Sequence, residues 1–121
     1  MTHILFIHPD QKLTGIYQRH LSEHFGFDSA HDGLAGLRKI KLHQPRLIIS
    51  DYDLPFMSGL ALLKFVRNHR QLHSTPFLFL TNAQMPDDAL NLGATAWLKQ
   101  TEHGPESLMA QLYNHRSVLH A

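Results

Sequence analysis

Residues 47–59 read LIISDYDLPFMSG. An apolar run stops at Asp51, a second acid follows at Asp53, and the pair Leu54-Pro55 leads to Ser58-Gly59. Three consecutive apolar residues without alternation fit a strand covered on both faces. Ser58 ahead of Gly59 reads as a helix N-cap. The stretch therefore predicts a buried strand, a carboxylate at its very end, a stiff loop and a helix.

The same alternation extends outward. Apolar runs occur at HILFI (3–7), weakly at FDSA (27–30), then at RLIIS (46–50), PFLFL (76–80) and ATAWL (94–98). Between them lie segments with a period near 3.6, predicted as helices over 11–25, 33–43, 58–70, a short 86–92 and 105–116. Asp32 before Gly33, and Pro86 ahead of Asp87 and Asp88, are start signals. Five strands each followed by a helix, joined by right-handed crossovers, imply an α/β (βα)5 domain: a five-stranded parallel sheet with helices on both faces.

A chain of 121 residues suits one domain, expected here over 1–121. With 43% apolar and 17% charged residues the composition is that of a globular protein. There is no cysteine, which excludes disulfides and thiolate chemistry and fits a cytoplasmic location. No apolar run approaches the roughly 18 residues of a membrane span. Lysine and arginine number 11 against 10 acids, with no basic cluster, so neither nucleic acid nor membrane is expected as a partner. The eleven histidines make the net charge climb as pH falls through about 6.5.

In open parallel sheets, ligands bind beyond the carboxyl ends of the strands. The residues just past those ends are His8, Pro9 and Asp10; Asp51; Thr81 and Asn82; and Lys99 and Gln100. An acid, a hydroxyl and an amine on one edge suit phosphoryl chemistry. The carboxylate attacks, the hydroxyl binds phosphoryl oxygens and a cation neutralises their charge.

Several words carry a family resemblance: ILFI followed by Asp10, HDG (31–33), ISDYDLPFMSGLALL (49–63), PFLFLT (76–81) and LGATAWL (92–98). Over essentially its whole length the chain resembles a response-regulator receiver domain of two-component signalling, CheY-like and of atypical type. The resemblance implies a flavodoxin-like fold with strand order 2-1-3-4-5. It implies Asp51 as phosphoacceptor, the Asp53 backbone carbonyl as a metal ligand, Thr81 as switch hydroxyl and Trp97 at the aromatic switch position. It also implies a histidine kinase or phosphotransfer protein as phosphoryl donor. A downstream protein would bind the face formed by the fourth helix, fifth strand and last helix, and a homodimer through that face belongs to the same expectation. The chain is then a phosphorelay switch and not an enzyme.

Two family features are displaced. The pair of adjacent acids that holds Mg2+ aligns with His8 and Pro9, and Asp10 comes one residue late. This leaves a weak magnesium site of Asp10, Asp51 and the Asp53 carbonyl. The family lysine, three residues past the aromatic, aligns with Gln100, and Lys99 is one residue early. If the fifth strand ends or bulges there, Lys99 is the site's cation; otherwise Gln100 offers a neutral hydrogen bond. Loss of both parts would slow phosphoryl acceptance ~100-fold or more. The interval from Thr81 to Gly93 is also short, which predicts a truncated fourth helix.

Rival readings remain. A pseudo-receiver would keep the fold and bind partners without phosphate. A flavodoxin-like small-molecule or metal-binding domain would use the histidines, among them His20/His24 and His69/His73, each spaced i,i+4. Asp10 is also a helix N-cap candidate, and His8 is either a structural histidine or a pH-sensitive cation next to Asp51. No Walker loop, G-x-S-x-G word or dinucleotide fingerprint is present.

Overall fold

The structure is a computed structural model, and it describes residues 2–114. Five strands, β1 (His3–Ile7), β2 (Gly26–Ala30), β3 (Leu47–Ser50), β4 (Phe77–Thr81) and β5 (Ala96–Lys99), pair in parallel in the order β2-β1-β3-β4-β5. The helices are α1 (Gln11–Leu21), α2 (Gly33–His43), α3 (Gly59–Asn68) and α4 (Pro105–Asn114), with a single 3₁₀ turn at Gln100–Glu102. This is the expected flavodoxin-like arrangement.

The continuous apolar runs arise because successive strand residues enter opposite layers. Ile4, Phe6, Ile49, Leu78, Leu80 and Leu98 meet Tyr17 and Leu21 of α1 and Leu108 and Leu112 of α4. Leu5, Ile7, Ile48, Phe77 and Phe79 meet Ile40 of α2 and Leu62, Leu63 and Val66 of α3. Every residue of β3 and β4 is buried. Each such side chain contributes about 1.5–3 kcal/mol of gross burial energy, which is why the central strands read so clearly. β2 lies at the edge with only Ala30 buried, which explains its weak signal.

Caps set where the helices begin. Asp10 accepts from the N–H groups of Lys12 and Leu13, Asp32 from Ala35 and Ser58 from Ala61. α2 ends at Gln44, in the left-handed region at φ 45°, just before Pro45. α1 stops at Leu21, short of the predicted 25, and Phe25 still reaches the core through a turn whose N–H bonds the Leu21 carbonyl.

The helix predicted over 86–92 is absent. Turns replace it, with N–H to carbonyl bonds from Ala89 to Pro86, Leu92 to Asp88 and Gly93 to Leu90. The start signals at Pro86, Asp87 and Asp88 are real, but only Ala89 of this stretch is buried, so packing cannot reward a longer helix. Gly93 then takes φ +105°, a backbone state that ends helical growth. Arg67 of α3 holds the segment: Nε donates to the Gly93 carbonyl at 2.9 Å, and Nη1 to the carbonyls of Thr75 and His73 at 2.6 and 3.1 Å. Residues 115 and 116 of the predicted last helix lie outside the described residues.

Candidate functional site

The parallel register brings the ends of β1, β3 and β4 to one edge. Ile7 pairs with Ser50, so His8 and Asp51 leave their strands side by side. The Asp51 N–H bonds the Ile7 carbonyl at 2.9 Å and the His8 N–H bonds the Ala30 carbonyl at 3.0 Å. Thr81 closes β4 and is buried.

These residues meet around one carboxylate. Thr81 Oγ1 donates to Asp51 Oδ1 at 2.5 Å, and the Tyr52 N–H donates to the same oxygen at 2.7 Å. The Thr81 hydroxyl in turn accepts from the Ala83 N–H at 3.2 Å, which fixes its direction. Asp51 Oδ2 faces His8 Nε2 at 3.4 Å. The Asp51 side chain retains 13% of its surface in solvent. It is therefore reachable, and Oδ2 is the less engaged oxygen.

Behind it, α3 starts against the acid's own backbone. A Cβ at Gly59 would collide with the Asp51 carbonyl oxygen and would lie 2.8 Å from the Phe79 ring. Only glycine lets the loop return this closely, and the Gly59 N–H bonds the Tyr52 carbonyl at 2.9 Å. Trp97 packs on Phe79 and Tyr52, with ring centroids 4.9 and 5.3 Å away, so it touches the residue next to Asp51. Within the loop, the Met57 N–H bonds the Pro55 carbonyl at 2.8 Å around Phe56, which has φ +68° and is 81% exposed. This is a γ-turn held by a non-glycine residue in a strained state.

The displaced residues resolve into definite places. Leu98 enters the α1/α4 core, so strand alternation directs Lys99 to the other face. Lys99 is exposed and forms no ion pair with Asp51. The chain then turns into the 3₁₀ segment, and Gln100 Oε1 lies 2.8 Å from His8 Nε2. Gln100, and not Lys99, is delivered to the site.

Asp10 does not join Asp51. Its Oδ1 accepts from the Lys12 and Leu13 N–H groups at 3.0 and 3.2 Å, which commits it to capping α1. Asp53 is exposed in the loop. Among the described residues, no group of three or more His, Cys, Asp or Glu side chains is placed to hold a metal ion. The histidine pairs do not make one either. His20 Nδ1 bonds the Ile16 carbonyl, His73 Nδ1 bonds the Arg70 carbonyl, and His69 lies past the end of α3 in extended backbone. The residue that sequence reasoning undervalued is His8. Its position just past β1 was the available signal, and its contacts depend on Gln100, 92 residues away.

Comparison with known proteins agrees with this fold. The family model described as the response regulator receiver domain matches residues 4–112. The response regulator ArlR of Staphylococcus aureus is 35% identical over 82 residues, which is 67% of this chain and 36% of ArlR. The chain thus spans about a third of the length of the curated relatives it matches. Among solved structures, the chemotaxis response regulator CheY4 of Vibrio cholerae aligns with a TM-score of 0.83 at 28% identity, covering 94% of this chain and 98% of that one. A CheY-like receiver domain protein from Methanospirillum hungatei has the same fold, with a TM-score of 0.88 at 22% identity over 99% of this chain and 97% of that one.

Proposed function

This chain belongs to the response regulator receiver domain family, and from that premise we propose that residues 1–121 act as one receiver of atypical type, accepting a phosphoryl group on Asp51 and switching the binding of a partner. Receiver domains are signalling modules of two-component systems, which implies a histidine kinase as phosphoryl source and protein partners downstream. The observation that carries the reading is the 2.5 Å contact of Thr81 Oγ1 with Asp51 Oδ1 across the ends of β4 and β3.

In the proposed step an Asp51 carboxylate oxygen attacks the phosphorus of a phosphohistidine. A P–O bond forms as the P–N bond breaks, the electron pair leaves on the imidazole nitrogen, and Asp51 becomes an acyl phosphate. Oδ2, the less engaged oxygen, is the attacking atom. Thr81 is positioned to pass its hydrogen bond from the carboxylate to a phosphoryl oxygen. That rearrangement would reach Trp97 through Tyr52 and Phe79. The responsive face comprises the 82–93 segment, β5 and α4, which exposes Met85, Leu90 and Tyr113. A shift in its populations alters partner affinity.

Receiver domains generally bind Mg2+, but the donor set here does not fit that ion. Pro9 has no side-chain donor, the Asp10 carboxylate caps α1, and His8 is a softer ligand than the hard oxygens magnesium requires. No step is therefore routed through a metal.

A second reading has its own support. Asp51 already finds two in-chain donors, Thr81 and the Tyr52 N–H, with His8 Nε2 3.4 Å from its other oxygen, surroundings that suit a pseudo-receiver that binds partners without phosphate. Incubation with acetyl phosphate, followed by intact mass, separates the two. A gain of one phosphoryl group that disappears in Asp51→Asn supports phosphoacceptance, and no gain with any donor supports the pseudo-receiver.

A further inference from the structure

We propose that the neutral His8 imidazole, with its Nε2–H turned to the Asp51 side of the site, stands where a metal ion would otherwise sit, so that the site at the strand ends works without a bound metal and Gln100 acts as the residue that positions His8. The inference rests on the reading that Asp51 is the functional carboxylate.

The tautomer follows from the backbone. The Asp10 N–H donates to His8 Nδ1 at 3.1 Å, so that nitrogen carries its lone pair and the ring proton sits on Nε2. Nε2–H is therefore donated to Gln100 Oε1 at 2.8 Å, and Asp51 Oδ2 lies 3.4 Å from the same nitrogen. The ring cannot easily turn away. His8 is buried, its ring stacks on Phe6 with centroids 6.2 Å apart, and its carbonyl accepts from His31 Nδ1 at 3.1 Å.

The acids and their replacements at the end of β1 are engaged elsewhere or lack donors. The Asp10 carboxylate accepts two N–H groups at the start of α1, Pro9 has no donor atom on its side chain, and Asp51 Oδ1 holds Thr81 and the Tyr52 N–H. Asp51 is then the one acid in this network, a single carboxylate met by the Thr81 hydroxyl and the Tyr52 N–H, with His8 Nε2 3.4 Å from Oδ2. A divalent ion at Oδ2 would face the His8 Nε2–H, which is a donor and not a ligand. Gln100 keeps it so, because its carbonyl oxygen accepts that proton and favours the Nε2–H tautomer.

Long-range 1H–15N spectra of the imidazole groups in the full chain test the proposal. Loss of one ring signal set in His8→Gln assigns His8. The expected result is an Nε2–H tautomer whose shifts move in Asp51→Asn and stay fixed on titration with MgCl2 to about 10 mM. An Nδ1–H tautomer, shifts indifferent to Asp51→Asn, or a saturable response to Mg2+ that Asp51→Asn abolishes would overturn it. The rate of phosphoryl gain from acetyl phosphate gives an independent readout. With EDTA and with MgCl2 it should agree within about twofold, and dependence on Mg2+ of about tenfold or more overturns the proposal. If no phosphoryl is gained under either condition, the phosphoacceptor reading falls, and the spectra alone decide whether His8 replaces the metal.

Discussion

The buried hydroxyl of Thr81 donates to Asp51 Oδ1 at 2.5 Å and accepts from the Ala83 N–H. The acceptor is a carboxylate only 13% exposed, so this bond is charge-assisted and poorly screened. Thr81→Val keeps the shape and removes the donor, leaving Asp51 Oδ1 with the Tyr52 N–H alone and the Ala83 N–H without its side-chain partner. The expected loss is about 1–3 kcal/mol. Urea unfolding followed by Trp97 fluorescence measures it, and an unchanged midpoint would show the contact to be energetically idle.

Gly59→Ala should destabilise the fold and disturb the site together. The added methyl meets the Asp51 carbonyl oxygen and the Phe79 ring, both held by neighbours that cannot yield. Overpacking of this kind costs about 1–3 kcal/mol. The amide shifts of Asp51 and Tyr52 should move in the same variant, whereas an alanine at Gly15, which meets nothing within 4 Å, should leave them in place.

The clamp on the segment before β5 predicts a pair of effects. Gly93→Ala places a methyl at φ +105° and 2.8 Å from Arg67 Nε, and strain of this type costs about 1–3 kcal/mol. Arg67→Met removes the donor from the carbonyls of Gly93, Thr75 and His73. Burial pulls the Arg67 guanidinium below its usual pKa range, yet it stays charged at any ordinary pH. Faster amide exchange across 86–94 in Arg67→Met is the expected outcome. Exchange rates equal to those of the parent would contradict the clamp.

At the far edge of the sheet, Asp28 of β2 binds Lys39 of α2 at 2.8 Å. Burial raises its pKa, but the Lys39 hydrogen bond, the Ser29 N–H and the charges of Lys39 and His43 outweigh it and hold the carboxyl below its ordinary value. A depressed carboxylate stabilises the fold above its unfolded pKa of about 3.9, and that contribution is lost as pH falls through the folded value. Both partners are substantially exposed, so Asp28→Asn should cost no more than about 1 kcal/mol at pH 7. The difference between parent and variant should shrink below about pH 4 in urea titrations, and a difference that grew on acidification would refute the assignment.

The strands β1, β3 and β4 were legible because burial on both faces writes itself as uninterrupted apolar residues. β2 was faint because an edge strand buries little. The segment 86–92 misled because capping residues announce where a helix can begin, whereas its growth depends on packing that only the tertiary structure reveals. Asp51 and Thr81 were readable from their strand ends, since parallel register places such ends together. Lys99 against Gln100 was not, because the outcome turns on a single residue, the point where β5 gives way to a 3₁₀ turn. The partnership of His8 with Gln100 is a through-space fact with no periodic or local signature.

That partnership also has a consequence for how the molecule breathes. The His8–Gln100 bond joins the end of β1 to the turn after β5 and passes over β3 and β4. The sheet is open, yet its upper rim is stitched shut. Local opening should therefore start from β2, which lies outside the stitch, and from the opposite ends of the strands. The Asp51 and Tyr52 amides, hemmed beneath it, should be among the last to exchange with deuterium, and Gln100→Ala should release them early without unfolding the remainder.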